Sequence, residues 1–579
     1  MDPKLTQMDS VLLGLSKEQS KVDGRVFGEL NSGIWMQSAC SWLEQQGLND
    51  VLPLPIILYS DSTNCDKLGR VSVKLVYVQV GIHNYATRCK PQARRLIGYF
   101  PEPVPTHSGE EVDNQAKHYV YHQHWHSILT SLYTFKKTRS FLTFELPNNI
   151  GTYNFFPLVC FWMMDHPEQM KMCAVKDGAT NRPCHTCEVR YTELADPTII
   201  AELRKSKATD TRRNEDASRI EISLHSQIPL VNAFLIGSFG VYSSTPPCRL
   251  HLFDLGLVSY CKDWLVASIK EHAPVKCKSK NVALFDARWN ELPFFSSSRP
   301  VKYMKRFNNR VSSMSFLQGG DFFLIMQLLP IVFGTSHQTW NMPKNVFEDI
   351  QEVLVLQKEI GMDLKMKMKW SEFELNELDL RIQRYRTLLK KNFSSYSKSD
   401  FCFSKFHEPS HLSHYIRLFG HVMNTDNGMQ ENGHKFLAKV PYSRSSRQVG
   451  FEHQMILWTR RWRLMLSNPS WYAYIENTGG SDQQMEKVEK KEIRVGKEYV
   501  IDWNKNGESA KIQYDLPKGV PLNILQILLR NVFQENEWEK FDEIKEMLCF
   551  RTMISTDSLV VYGLILITRK TQLDTIPLR

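Results

Sequence analysis

Long apolar runs are missing from this 579-residue chain. Its best stretch, Phe322 to Phe333, covers 12 residues and carries Pro330. A bilayer span needs about 20, so that segment predicts a buried helix, and no membrane partner is expected. The first 20 residues lack an apolar core flanked by positive charge, so no secretory leader is expected there. The 12 cysteines are scattered, not framed. That excludes a disulfide-stapled scaffold and favours an intracellular chain with reduced thiols and room for a metal site. Internal repeats and long low-complexity tracts are absent. Charge is not strongly one-sided: a net +10 suits a polyanionic partner without identifying one. What remains is an ordinary globular composition, 42% apolar and 23% charged, in a chain longer than one hydrophobic core usually serves.

Periodicity sketches the organisation. Residues 34–48 form an amphipathic piece whose Trp35, Cys40, Trp42 and Leu43 suit core packing. Strand patterns at 54–60, 71–82 and 94–100, separated by short turns, predict an antiparallel meander of the kind that opens a ribonuclease H-like sheet. Residues 102–117 read as a polar loop and 118–137 as an aromatic helix. Helices are expected at 321–333, 345–360 and 371–391. After a linker near 478–482, a small region has strand patterns at 493–502 and 559–568.

Three acids stand in unlike settings. Asp61 ends the apolar run that starts at Leu54, and Asp165 follows a second run, Phe156 to Met164. Glu431 lies in Thr425 to His434, where a helix could begin. Carboxylates gathered from strand ends and a helix suit two divalent cations about 3.5–4 Å apart, the arrangement for in-line phosphoryl displacement. Asp426 competes with Glu431 for the third place, and Asp254 is a further substitute. Each of these acids could equally be a solvated strand end or a turn cap.

Cys184-x-x-Cys187 with His407-x-x-x-His411 supplies two thiolates and two imidazoles, the inventory of a closed tetrahedral zinc site, against the plainer reading of a buried thiol pair. Cys248-x-x-His251, Cys173, His185 and His414 are alternative donors. Basic residues gather at Lys302, Lys305, Arg306 and Arg310, and again at Arg444, Arg447, Arg460, Arg461 and Arg463 around Trp458 and Trp462. Arginine forks and lysine charges bind phosphate oxygens without reading sequence. An amphipathic helix with inward tryptophans and solvated arginines fits the second group as well.

Several short segments, in one order from about residue 50 to 465, resemble the transposases of the Plavaka group, relatives of the CACTA (En-Spm) cut-and-paste elements. Tyr59-Ser60-Asp61-Ser62-Thr63 with Val76 to Gly81 is similar to the family's first-aspartate strand and its hairpin partner. Lys90-Pro91 and Leu96 to Pro101 resemble "RKPS…LLGYLP", Met164 to Gln169 resembles "ADYPEQ", and Cys184 to Cys187 resembles "CPRC". Phe285 to Arg288, Lys405 to His411, Ile416 to Gly420 and Asp426 to His434 follow in the family's order. Cys248 to His251 resembles a "D/C-x-x-H" signature in which members often have Asp first; Cys248 departs from that.

The resemblance implies an α/β, ribonuclease H-like mixed sheet with a large, mostly helical insertion and a small C-terminal region. The division is then a lead-in at 1–50, a first core part with both aspartates at 51–189, the insertion at 190–400, the core remainder with the glutamate at 401–470, and a small α/β region at 480–579. It implies a DDE transposase in which Asp61 bridges two Mg²⁺ or Mn²⁺ ions, Asp165 holds one and Glu431 the other. The Cys and His pairs would form a structural Zn²⁺ site tying the insertion to the glutamate helix. Double-stranded DNA, a homo-oligomer and a nuclear location follow as expectations. The rival reading is a non-catalytic DNA-binding or scaffold protein derived from such an element, since no zinc finger is visible upstream of Asp61. An unrelated metal-dependent nuclease would share the acids but not the later segments.

Overall fold

The computed structural model describes residues 25–467, except 67, 101–113, 147–150, 227–228, 237–238, 293–309, 315–316, 432 and 449, together with 544–553 and 559–568. Helix α1, Ile34–Gln45, turns Trp35, Met36, Ala39 and Leu43 inward. Strand β1 spans Val51–Asn64, β2 Ser72–Val80 and β3 Arg95–Phe100, each antiparallel to the next. Helix α2, Asn114–Thr138, leads to β4, Leu142–Leu146, and β5, Gly151–Met163. The five strands run in the order β3-β2-β1-β5-β4, with β5 parallel to β1 and hairpinned to β4.

Side-chain alternation explains the layering. Ile57 and Tyr59 pack with α1 on one face of the sheet. Ile56 and Leu58 pack with Tyr121, Trp125 and Leu129 of α2 on the other. Proline is a poor guest in a central strand because it cannot donate to the ladder. Pro53 and Pro55 are tolerated in β1 because its pairing with β2 begins only at Ile56. There β1 is effectively an edge.

Helix α3, His166–Cys173, follows β5 directly. A π-helical stretch, Leu250–Val258, runs into α4, Ser259–His272, followed by α5, Lys278–Asn290. Next come α6, Gly319–Phe333, α7, Lys344–Met366, and α8, Glu372–Phe393. The helix over 321–333 is buried as expected, and α6, α7 and α8 share one core with Trp289, Trp340 and Trp370. Ser371 starts α8 through a reciprocal cap with Glu374. Helices α9, Leu412–Phe419, and α10, Phe451–Ser467, complete this part.

Differences from the expected elements are local. β4 carried no clear signal, and residues 114–117 already belong to α2; the expected loop at 102–113 lies outside the described residues. Contacts divide the chain into two units, Met1–Thr459 and Arg460–Arg579. The second contains a hairpin of β6, Ile544–Met553, and β7, Leu559–Thr568, so the strand expected at 559–568 is present. The one expected at 493–502 lies outside the described residues. No helix among the described residues is long and apolar enough to cross a membrane.

Candidate metal centres

Parallel pairing sets the first two acids side by side. Tyr59 of β1 is level with Met163 of β5. Two residues further along each chain are Asp61 and Asp165, at the carboxyl ends of adjacent strands. The Asp165 Oδ1 atom accepts the Glu168 backbone N–H at 3.0 Å and so caps α3. Glu168 is itself buried and pairs with Lys74 of β2 at 3.1 Å, which pins α3 to the sheet.

The Glu431 turn is held on the face of the sheet that carries Tyr59 and Tyr77. Tyr77 donates to Gln430 Oε1 at 2.9 Å, and Gln430 donates to Gln79 at 3.0 Å. Tyr59 stacks on Tyr77, donates to Asp61 Oδ2 at 3.1 Å, and lies 2.9 Å from His434 Nε2. Burial lowers the His434 imidazole to about 4, so it is neutral at pH 7 and its Nε2–H can donate to Tyr59. Neither Tyr59 nor His434 was assigned a role from the sequence. The signal was there: Tyr59 is two residues from Asp61 on a strand, and His434 is three from Glu431 on a helix, so each shares its acid's face.

Electrostatics joins the three acids. Burial, then the charge of Asp165, pushes the Asp61 carboxyl up to about 7. Burial, then Asp61, Asp426 and Asp165, pushes Glu431 up to about 8. These are carboxylates held where negative charge lacks compensation. Among the described residues they do not close into a set with all donor atoms within 4.8 Å of one another.

Competing acids are engaged elsewhere. Asp254 makes a two-pronged pair with Arg249 at 2.9 and 3.0 Å, and Asp426 accepts the Leu250 N–H at 2.9 Å with Arg249 Nε 3.7 Å away. Both are buried, Asp254 within the π-helical stretch and Asp426 against its first residue, Leu250. His251 from that same turn reaches Glu431 at 3.2 Å by Nε2 and Cys248 at 3.4 Å by Nδ1. Cys248 and His251 therefore lie with the acids and not with the Cys184 pair.

Cys184, Cys187, His407 and His411 are all buried, with one donor atom from each within 4.8 Å of the others. Cys184 Sγ is 3.5 Å from His411 Nε2, Cys187 Sγ 3.2 Å from His407 Nε2, and the two imidazole nitrogens 3.1 Å apart. Burial alone would raise the Cys184 thiol, but the Cys187 hydrogen bond and both imidazoles draw it well below a thiol's usual range. The Cys187 thiol, hydrogen-bonded to Cys184 and buried, is pushed up instead, so without a metal the thiol pair shares a proton that a bound metal would displace. The histidines stand on the segment Ser404–His411 before α9, not on the glutamate helix. Gly420, at φ +80°, ends α9 between them, and a Cβ there would collide with the Gly28 carbonyl. Cys173 contacts Thr245, and His185 contacts the Thr245 carbonyl, so neither completes this set.

Of the basic residues, Lys302, Lys305 and Arg306 lie outside the described residues. Arg310, Arg444 and Arg447 are exposed in the first unit. Arg460, Arg461 and Arg463 stand on the part of α10 assigned to the second unit.

A mixed α/β protein with a buried acidic centre and a Cys₂His₂ cluster is the class this geometry defines. Residues 13–236 match the family model of the Plavaka transposase, so over that span the chain is similar to the Plavaka transposases. The span holds Asp61, Asp165, Cys184 and Cys187 and ends before Cys248, the histidine pair and Glu431. Among curated proteins none matches the chain.

Proposed function

We propose that this protein is the catalytic core of a DDE transposase that cleaves transposon ends and joins them to target DNA. The observation that carries the reading is that Asp61 and Asp165 each lie two residues beyond the last paired residues of adjacent parallel strands, Tyr59 and Met163, with Glu431 raised by burial and by the charge of both. An antiparallel meander followed by a strand parallel to its first member supports a ribonuclease H-like sheet. Buried, mutually repelling carboxylates fit Mg²⁺ or Mn²⁺, which hard oxygen ligands hold well. Asp61 would be shared between two ions, Asp165 would hold one and Glu431 the other. When bound, the pair supplies an activated nucleophile and offsets charge on phosphorus. Tyr59 and Glu168 keep the aspartates facing the site, and the Gln430 anchor sets Glu431 over it. Cys184, Cys187, His407 and His411 hold a structural Zn²⁺. Duplex DNA binds along Lys302, Lys305, Arg306, Arg310, Arg444, Arg447, Arg460, Arg461 and Arg463. Two ends must be processed together, so the protein works as a homo-oligomer, in the nucleus.

The test pairs a nicking assay with salt-titrated binding, on duplexes carrying the element's own ends. Wild type should cut in Mg²⁺ or Mn²⁺, and Asp61→Ala should bind but not cut. Each neutralised phosphate should add roughly −0.9 to the slope of log K against log salt. Binding without cleavage by the wild type would favour the scaffold reading, and neither would count against both.

A further inference from the structure

Each chain segment that supplies the Cys₂His₂ cluster also turns its next residue the other way. His185 follows Cys184, and Glu408 follows His407. They meet His166, the residue after Asp165. One donor atom from each of His166, His185 and Glu408 lies within 4.8 Å of the others. From this convergence we infer a second transition-metal site, a two-histidine, one-carboxylate centre distinct from both the acid triad and the Cys₂His₂ cluster.

Hydrogen bonding outside the cluster fixes which atoms face in. His185 Nε2 lies 3.1 Å from the Thr245 carbonyl, which can only accept, so Nε2 carries the proton and Nδ1 keeps its lone pair. That Nδ1 is buried without a hydrogen-bond partner, on a side chain with no solvent exposure. His166 is arranged alike: Nε2 faces Asp177 Oδ1 at 3.4 Å, leaving Nδ1 towards Glu408 Oε1 at 2.6 Å. A carboxylate or carbonyl behind each ring is the usual support of a metal-bound histidine, orienting it and raising its basicity. Imidazole with carboxylate suits Zn²⁺ and other borderline dications.

The carboxylate of Glu408, itself buried, lies against His166 and provides the negative charge that a bound dication needs. Because His166 is bonded to Asp165 and Glu408 to His407, the centre links the Cys₂His₂ cluster to the second aspartate of the acid site.

The test is metal stoichiometry of the full chain, independent of any DNA chemistry. Zinc-loaded wild type, dialysed against metal-free buffer, should retain two equivalents. His185→Asn and Glu408→Gln should each retain one, and the Cys184→Ser, Cys187→Ser double variant should also retain one. Cobalt titration of the wild type separates the centres even if a variant does not fold. The cysteine centre gives thiolate-to-cobalt charge transfer, and a further equivalent should add ligand-field absorption without that band. Saturation at one equivalent in wild type, or two equivalents persisting in both His185→Asn and Glu408→Gln, would overturn the inference and leave an ion pair.

Discussion

At the scale of single residues, burial and like charge govern the acidic centre. Asp61 and Glu431 bind protons more tightly in the fold than in the unfolded chain, at about 7 and about 8. Stability of the metal-free protein is therefore fullest below the ordinary carboxylate range and falls as pH climbs through these values. With each unit worth about 1.4 kcal/mol, the loss between pH 5 and 8.5 is several kcal/mol at most, reduced because the mutual repulsion is counted in both shifts. Thermal unfolding across that range should show a falling Tm, flattened in Asp61→Asn and relieved by Mn²⁺. A rising Tm would mean the carboxylates are already compensated. Tyr59 offers a second check. Tyr59→Phe removes the donor to Asp61 and leaves His434 without its acceptor, and should cost about 1–2 kcal/mol in denaturant unfolding.

At the scale of elements, the strands around Asp61 and the helices α6, α7 and α8 were legible because their apolar periodicity is strong and each buries a well-defined face. β4 was not, being a short edge strand whose partner does the pairing. The Cys and His pairs were found by donor chemistry together with the family resemblance. The contact of His251 with Glu431 was hidden, since nothing local records that a π-helical turn lies against a helix far along the chain. Gly420 shows a constraint of the opposite kind, local yet unreadable without its neighbour at Gly28. Gly420→Ala should destabilise by at least about 2–3 kcal/mol through strain and collision, measured by chemical denaturation. Stripping the proposed Zn²⁺ from the Cys₂His₂ cluster should loosen Ser404–His411 from the segment around Cys184. Hydrogen exchange should quicken at both places together and leave the β1–β2 ladder protected.

For the molecule as a whole, the central claim is that Asp61, Asp165 and Glu431 act as one metal-binding centre. The family match covers both aspartates but not the glutamate, so beyond the resemblance of Asp426 to His434, Glu431 rests on geometry and charge. The most direct measurement is Mn²⁺ binding followed by electron paramagnetic resonance on zinc-saturated protein, with and without duplex DNA. Two spin-coupled Mn²⁺ ions per chain are expected with DNA bound. Asp61→Asn should lose the coupling, and Asp165→Asn and Glu431→Gln should each reduce occupancy towards one ion. Mn²⁺ stoichiometry and spectrum unchanged in all three variants would contradict the account.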